Sequence, residues 1–221
     1  YASYDALMNK PAETVVDLEL VDSRIQVRDI LAFAPQLRGN PALRDPNAVL
    51  YVNIVGNGTL NRLNFESLRF RGLKNTELDA YGTIAGLMTP TDASGMFTIR
   101  RLHTSQTDLA LFTGQRLSTR EINLPETFAA SGTLSGNMSN LATNLTLQTS
   151  MGNIGVDGRF TNLTNPTKTS YNALVRVQSL RVGSIIRNNA IGALTTNMRV
   201  SGSGTTPENM NVRFNGVVNS F

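Results

Sequence analysis

Apolar and polar residues alternate along most of this 221-residue chain. In residues 50–54, for example, Leu50, Val52 and Ile54 alternate with Tyr51 and Asn53. A period of two residues is typical of β-strands that bury one face, and the alternating runs are separated by glycine and asparagine, which are common in turns. The pattern predicts an all-β protein of roughly twelve strands, each with one aliphatic face and one polar face.

The alternation slips by one residue at three places. The slips lie between Phe65 and Leu68, between Ile99 and Leu102, and between Val177 and Leu180. One extra residue at each slip keeps the apolar side chains on the same side of the strand, and a β-bulge supplies that residue while it bends the strand. We therefore expect an elongated, open β-sheet that curves along its strands.

The chain also repeats itself. Residues 78–84 match residues 154–160 at an offset of 76 residues, and Leu63 matches Leu141 at an offset of 78. Such a repeat predicts one continuous structural domain built from stacked units. Its predicted parts are the end of a preceding repeat with a short helix and a loop (1–47), a first unit (48–126), a second unit (127–192) and the start of a third unit (193–221). Because the chain begins at Tyr1 and stops inside a repeat, we expect it to be an internal piece of a longer protein.

Proline, glycine and helical spacing predict the few elements that are not strands. We expect a short helix within 28–37, single helical turns within 108–112 and 183–187, and loops at 38–47 and 114–126. The glycine-rich segments 56–59 and 201–204 are predicted to be turns, since neither has the Gly-Lys-Ser/Thr ending of a phosphate-binding loop.

Composition excludes several kinds of chemistry. The chain has no cysteine and a single histidine, His103, so it contains no disulfide, no zinc–thiolate site and no site built from several histidines. The acidic pairs Asp17/Glu19 and Glu77/Asp79 alternate with apolar residues, which places them on solvated strand faces. We expect His103 at the surface beside a bulge. We predict no metal, no cofactor and no enzymatic activity.

Positive charge is concentrated in the C-terminal part of the chain. Residues 1–127 carry a formal charge of −1, and residues 128–221 carry a charge of +5. The basic residues of 128–221 are spread along the strands and turns without interleaved aromatic residues, whereas a nucleic-acid site clusters them. We therefore expect a solvated polar face and no nucleic-acid partner.

The aliphatic strand faces remain as the candidate functional surface. The sequence leaves two interpretations open: a closed core between two packed sheets, or an open trough that exposes a continuous apolar surface. Aromatic residues make up only 6% of the chain, so few large side chains are available to fill a thick core. The residues predicted to line a trough are Leu63, Phe65, Phe70, Leu78, Ile84, Phe97, Ile99, Leu145, Leu147, Ile154, Val156, Phe160, Val175 and Val177.

Several segments resemble the TamB family, most closely its Bacteroidota versions and more loosely the AsmA-like group. These segments are 30–41 (ILAFAPQLRGNP), 68–82 (LRFRGLKNTELDAYG), 122–125 (INLP), 132–136 (GTLSG) and 144–149 (NLTLQT). The resemblance extends over essentially the whole chain and rests on the order and spacing of these segments.

This resemblance implies a U-shaped sheet, the β-taco, in the periplasm of a Gram-negative bacterium. Members of the family are anchored in the inner membrane and are implicated in moving phospholipid toward the outer membrane. They are also implicated in assembling outer-membrane proteins with an Omp85-type partner. The resemblance therefore implies a phospholipid ligand, together with a membrane anchor and an Omp85-type docking segment that both lie outside this chain.

These observations lead us to expect a non-enzymatic conduit, in which acyl chains lie along the trough and headgroups project into water. The alternative is a scaffold that assists the insertion of outer-membrane proteins by holding client β-strands at exposed strand edges. An adhesin or carbohydrate-binding solenoid would show coils of roughly 20–30 residues and an aromatic stripe. The 76-residue repeat and the low aromatic content disfavour that third class.

Overall fold

Eleven antiparallel strands form a single open sheet in a computed structural model of the chain. The structure describes residues 11–220 apart from 87–88, 90–92, 114–117, 121 and 207. Strands follow one another in the sheet in sequence order. They are β1 (Val15–Gln26), β2 (Val49–Thr59), β3 (Arg62–Gly72), β4 (Thr76–Ala85), β5 (Ser94–Ser105), β6 (Thr127–Asn137), β7 (Asn140–Thr149), β8 (Gly152–Thr161), β9 (Ser170–Arg181), β10 (Ala193–Ser203) and β11 (Asn211–Ser220). The predicted all-β, open, curved sheet is confirmed.

Cross-strand partners divide this sheet into an apolar face and a polar face. One row of directly paired residues crosses the apolar face of all eleven strands: Leu20, Ile54, Leu68, Ala80, Ile99, Gly132, Leu145, Val156, Val175, Met198 and Gly216. Residues that the repeat aligns occupy the same row, as Ala80 and Val156 do. The two-residue period of the sequence therefore corresponds to a real face that continues from strand to strand.

All three predicted slips are β-bulges. The register between neighbouring strands shifts between Phe65 and Leu68, between Ile99 and Leu102, and between Val177 and Leu180. Two further shifts lie between Leu20 and Ser23 in β1 and between Val218 and Ser220 at the end of β11. Inside the β1 bulge, Asp22 adopts a left-handed backbone with φ of 48°. Because each bulge adds a residue and increases the local twist, these strands bend without exchanging their faces.

Three short α-helices interrupt the run of strands at regular intervals. Helix α1 (Val27–Phe33) follows β1, α2 (Gln106–Thr113) follows β5, and α3 (Val182–Ile185) follows β9. A helix thus follows every fourth strand, as a repeat of four strands and one helix requires. In the described part of the chain, no helix is long and apolar enough to cross a membrane.

The helices differ in length from those predicted. Helix α1 ends at Phe33 because Pro35 disfavours helical backbone at Ala34, whose φ is −125° and ψ is 74°. The rest of the predicted helix and part of the predicted loop form 3₁₀ turns at Pro35–Gly39 and Pro41–Leu43. The turn predicted within 108–112 belongs to the eight-residue helix α2. Residues 114–117 and 121 of the second predicted loop lie outside the described residues.

The helix-bearing segments lie along one rim of the sheet, because β1, β5 and β9 run in the same direction. We call this edge the helix rim. The turn Pro41–Leu43 packs against α2. Further along, the N–H of Asn123 donates a hydrogen bond to the carbonyl of Ile185 at 2.6 Å. Successive repeats are therefore joined beside the sheet as well as through it.

A buried carboxylate fixes α2 to the neighbouring hairpin. Asp108 is fully buried, and its Oδ2 accepts hydrogen bonds from the N–H of Asn75 at 2.7 Å and the hydroxyl of Thr76 at 2.8 Å. Its Oδ1 accepts from the N–H of Lys74 at 3.3 Å. The N–H of Asp108 donates to the hydroxyl of Ser105, which caps the start of the helix at 3.2 Å. One side chain thus satisfies three donors of the β3–β4 turn.

The glycine-rich segments predicted to be turns are strands instead, except for Gly204, which follows the end of β10 with a φ of 73°. Gly56 and Gly58 lie inside β2, and Gly202 lies inside β10. Of the glycines that the structure describes, twelve lie in strands, and all of these except Gly155 occupy the apolar face. The physical reason is close approach: a Cβ at Gly202 would lie 2.1 Å from the carbonyl oxygen of Asn211 on the next strand. Glycine here allows neighbouring strands to come together on the apolar side.

Candidate functional site

All fourteen residues predicted to line a trough lie on the apolar face. They occupy four adjacent cross-strand rows. From the rim opposite the helix rim inward, the rows contain Leu63, Ile84 and Phe160; then Phe65 and Phe97; then Ile99, Leu145, Val156 and Val175; and then Phe70, Leu78, Leu147, Ile154 and Val177. The register therefore gathers the predicted residues on one surface.

This surface is not closed by a second sheet. In the described part of the chain, each strand makes its extensive contacts with its neighbours in the sequence, and smaller ones with the short helical segments. Among the fourteen residues only Leu63 and Val177 are buried, and the other twelve are half-buried. Of the two interpretations that the sequence leaves open, a core between two packed sheets is absent from the described residues. The apolar face is open.

The row nearest the helix rim among these four is the most continuous part of the face. We call it the aliphatic row. It runs without a polar or glycine position across eight consecutive strands through Val52, Phe70, Leu78, Leu102, Ala130, Leu147, Ile154 and Val177. Ser23 ends it on β1 and Thr196 ends it on β10. At the spacing of antiparallel strands the row is about 34 Å long.

The rows farther from the helix rim carry fewer side chains because glycine occupies several of their positions. Gly82 lies directly between Phe65 on β3 and Phe97 on β5. The two rings stack across it with centroids 6.4 Å apart and planes inclined by 27°. A Cβ at Gly82 would lie 2.7 Å from the Cα of Phe97. The rings thus form one aromatic surface over a position of β4 that contributes no side chain.

Several residues of the apolar face were not in the predicted set. They include Leu18, Leu68, Leu102, Leu134, Met198, Val200 and Phe214. The alternation in the sequence already gives each of them an apolar strand face. Which strands share that face is decided by the register, and the register extends the surface onto β1, β10 and β11.

The polar face carries charged side chains that are paired with one another. The carboxylate of Asp79 lies 3.6 Å from Arg69 and 3.3 Å from Arg100, and Glu77 lies 3.9 Å from Arg101. The predicted position of Glu77 and Asp79 on the outer strand face is confirmed. Both carboxylates face arginines, although exposed ion pairs of this kind stabilise the fold by only about 0–1 kcal/mol each.

A depression of about 570 Å³ opens on the same polar face. Tyr51 is one of its lining residues, and the guanidinium groups of Arg24 and Arg71 lie 5.5 Å and 4.8 Å from the centroid of its ring. Both signs of charge line this depression, and two of its acidic groups, Glu77 and Asp79, pair with arginines. It has neither the apolar lining nor the enclosure of a small-molecule pocket. The apolar face therefore remains the candidate site.

Comparison with known proteins gives no match, so the candidate site rests on its geometry alone. No family model matches this chain, and no curated protein or solved structure matches it.

His103 is exposed beside the bulge of β5, as predicted. Within the described ranges, no group of three or more histidine, aspartate or glutamate side chains could hold a metal ion.

Proposed function

We propose that this chain is a segment of a periplasmic, envelope-bridging protein whose open apolar face carries phospholipid acyl chains toward the outer membrane. The observation that carries the proposal is the aliphatic row, which is continuous over eight strands and uncovered by other described elements. The resemblance to the TamB family supports the compartment, the anchor in the inner membrane and the Omp85-type partner. Anchor and partner contacts belong to parts of the protein outside this chain.

Hydrophobic transfer supplies the driving force for such binding. Each CH₂ group moved from water onto the apolar face stabilises the complex by up to about 0.8 kcal/mol. The hydrocarbon core of a bilayer, two acyl layers, is roughly 30 Å thick, so the aliphatic row is about as long as two acyl chains placed end to end. No polar group specifies one lipid along this row. Equivalent, shallow positions of this kind suit movement along the face, and no catalytic step is required.

Organic extraction followed by mass spectrometry tests the proposal directly. Protein purified without detergent from bacterial envelopes is expected to yield phospholipid in amounts near one molecule or more per chain. Protein extracted in parallel after delipidation should bind a fluorescent phospholipid again. A chain that is lipid-free as purified and does not bind added phospholipid would overturn the proposal.

Substitution of Val175 by aspartate is expected to weaken phospholipid binding about tenfold, or roughly 1.4 kcal/mol. Val175 lies on the apolar face between Val156 and Met198, so a carboxylate there would meet acyl chains without a partner. The adjacent Arg176 is exposed on the polar face, and Arg176→Ala is the matched control with an expected change below twofold. Titration with a fluorescent phospholipid measures both variants. Equal losses in the two variants would place the binding surface elsewhere.

The second candidate function is a scaffold that holds client β-strands. The observation in its favour is strand β11, which is exposed at nine of its ten residues. A photo-crosslinker at Met210 or Phe214 would capture client polypeptides in this case, and phospholipid in the first case. The two functions therefore give different crosslinked products.

A further inference from the structure

Two arginine side chains on the polar face converge on one tyrosine ring. Arg24 on β1, Tyr51 on β2 and Arg71 on β3 are directly paired across the strands, so all three stand in one row. The guanidinium groups of Arg24 and Arg71 lie 5.5 Å and 4.8 Å from the centroid of the ring. The two positive charges are therefore at most about 10 Å apart, which is the sum of those distances.

Neither of these two charges has an acidic partner. Among the described residues, no carboxylate lies within ion-pair distance of the guanidinium group of Arg24 or of Arg71. Both side chains are exposed, and a stack on an aromatic ring orients a guanidinium group without neutralising it. Each group carries N–H donors in a fork that fits the oxygens of a phosphate.

A neighbouring arginine shows how the chain neutralises such a stack elsewhere on the same face. Arg100 stacks on the ring of Tyr81 at 4.5 Å, and the carboxylate of Asp79 lies 3.3 Å from its guanidinium group. The same carboxylate lies 3.6 Å from Arg69. One acidic side chain thus joins two arginines there. The two arginines at Tyr51 have a similar arrangement without an acid, so an anion from outside the chain fits between them.

The position of the pair suits a charged ligand. The depression of about 570 Å³ opens at this row, and its open, polar lining lets a charged group keep part of its water. Tyr51 belongs to β2, which is paired on both sides, so the two guanidinium groups lie over the interior of the sheet. A further strand beside β1 would leave this row in place.

We propose that Arg24 and Arg71 bind a phosphate group on the polar face, with one guanidinium fork on each side of it. Two unpaired positive charges match a phosphate monoester, whose charge at neutral pH is about −1.5 to −2. This group occurs on small phosphorylated molecules and on the headgroups of some anionic lipids. The site lies on the face opposite the aliphatic row, and the inference does not depend on the transport of acyl chains.

Titration with inorganic phosphate, followed by NMR of the arginine side chains, tests the site. The native chain is expected to bind with a Kd of about 1 mM. Arg71→Gln should weaken binding about tenfold, because one of two charge-assisted contacts is lost. Arg100→Gln is the matched control, since it removes a stacked arginine that Asp79 already neutralises, and it should change the affinity by less than about twofold. No binding to the native chain, or equal losses in the two variants, would overturn the proposal.

A substitution with the opposite effect tests the same balance of charge. Asp22 lines the depression and makes no ion pair with a described residue. Its backbone φ is 48°, which asparagine adopts readily, so Asp22→Asn removes a negative charge and keeps the bulge. Phosphate should bind about threefold more tightly to this variant, because a like charge has left the site. Unchanged or weaker binding would contradict the assignment.

Vesicles distinguish a lipid-borne phosphate from a free one. The native chain is sedimented with vesicles of phosphatidylcholine, with and without phosphatidic acid, whose headgroup is a phosphate monoester. Greater sedimentation with phosphatidic acid, reduced by Arg71→Gln and kept in Arg100→Gln, would assign the site to a lipid headgroup. Binding of inorganic phosphate without any gain from phosphatidic acid would assign it to a small phosphorylated molecule. A gain that Arg71→Gln leaves unchanged would refute a headgroup at this row.

Discussion

Replacement of Asp108 by alanine is expected to lower the free energy of unfolding by about 2–4 kcal/mol, the largest effect we predict for a single side chain. The carboxylate of Asp108 accepts three hydrogen bonds, from the backbone of Lys74 and Asn75 and from the hydroxyl of Thr76. Alanine would remove the acceptor of the two backbone N–H groups, while the hydroxyl of Thr76 keeps the hydroxyl of Thr104 as a partner at 2.9 Å, and it would leave a void at a fully buried position. Thermal or urea unfolding measures the change, and the expected decrease in Tm is about 4–16 °C.

Two further variants separate the hydrogen bonds from the general effect of removing a carboxylate. Asp108→Asn keeps the shape but replaces one acceptor oxygen by a donor, so its destabilisation should lie between those of native protein and Asp108→Ala. Asp157 is exposed on the polar face of β8, and Asp157→Ala should change stability by no more than about 0.5 kcal/mol. If Asp108→Ala were as harmless as Asp157→Ala, the buried carboxylate would not be what fixes α2 to the β3–β4 turn.

Replacement of Gly132 by alanine is expected to destabilise the sheet by about 1–3 kcal/mol. The backbone of Gly132 has φ of +135°, which residues with a Cβ rarely adopt. An added Cβ would lie 2.0 Å from the carbonyl oxygen of Asn144 and 2.9 Å from the Cα of Leu145. Relief of that clash requires β6 and β7 to move apart. Thermal unfolding measures the stability, and hydrogen exchange of the β6–β7 amides locates the change.

Gly155 is the matched control for Gly132. Among the described glycines it is the one strand position on the polar face, and an added Cβ would meet nothing closer than the Cβ of Arg176 at 3.6 Å. Gly155→Ala should therefore be neutral or stabilising by up to about 1 kcal/mol, because alanine loses less conformational entropy on folding. The two substitutions are chemically identical, so a similar loss of stability in both would refute a special role for glycine on the apolar face.

Strands, faces and bulges were predictable because each leaves a direct mark in the order of residues. Alternation fixes which residues of a strand share a face, and a slip in that alternation, such as the one between Val177 and Leu180, marks an inserted residue. Helices α2 and α3 were located by short runs without alternation. None of these features depends on what lies across the sheet.

Other features depend on neighbours that are distant in the sequence or on the register, and the sequence alone could not supply them. Gly56 and Gly202 lie in segments that look like turns, because a turn and a closely approached strand both favour glycine. Asp108 looks like an ordinary acidic residue near the start of a helix, and its partners lie 32 to 34 residues earlier. Whether the apolar face is covered depends on the presence of a second sheet, which alternation does not reveal.

Successive units are tied to one another along both long edges of the sheet, by different kinds of contact. Four strands is an even number, so the chain returns to the same edge after each unit and can place every helix there. Packing between Pro41–Leu43 and α2, and the hydrogen bond from Asn123 to Ile185, tie each unit to the next along that edge. The opposite edge is tied by its loops: the N–H of Leu60 donates a hydrogen bond to the carbonyl of Thr14 at 3.0 Å, and the N–H of Thr205 donates to the carbonyl of Pro166 at 3.1 Å. Both edges therefore resist separation of the units, and the width of the apolar face is constrained along both rims.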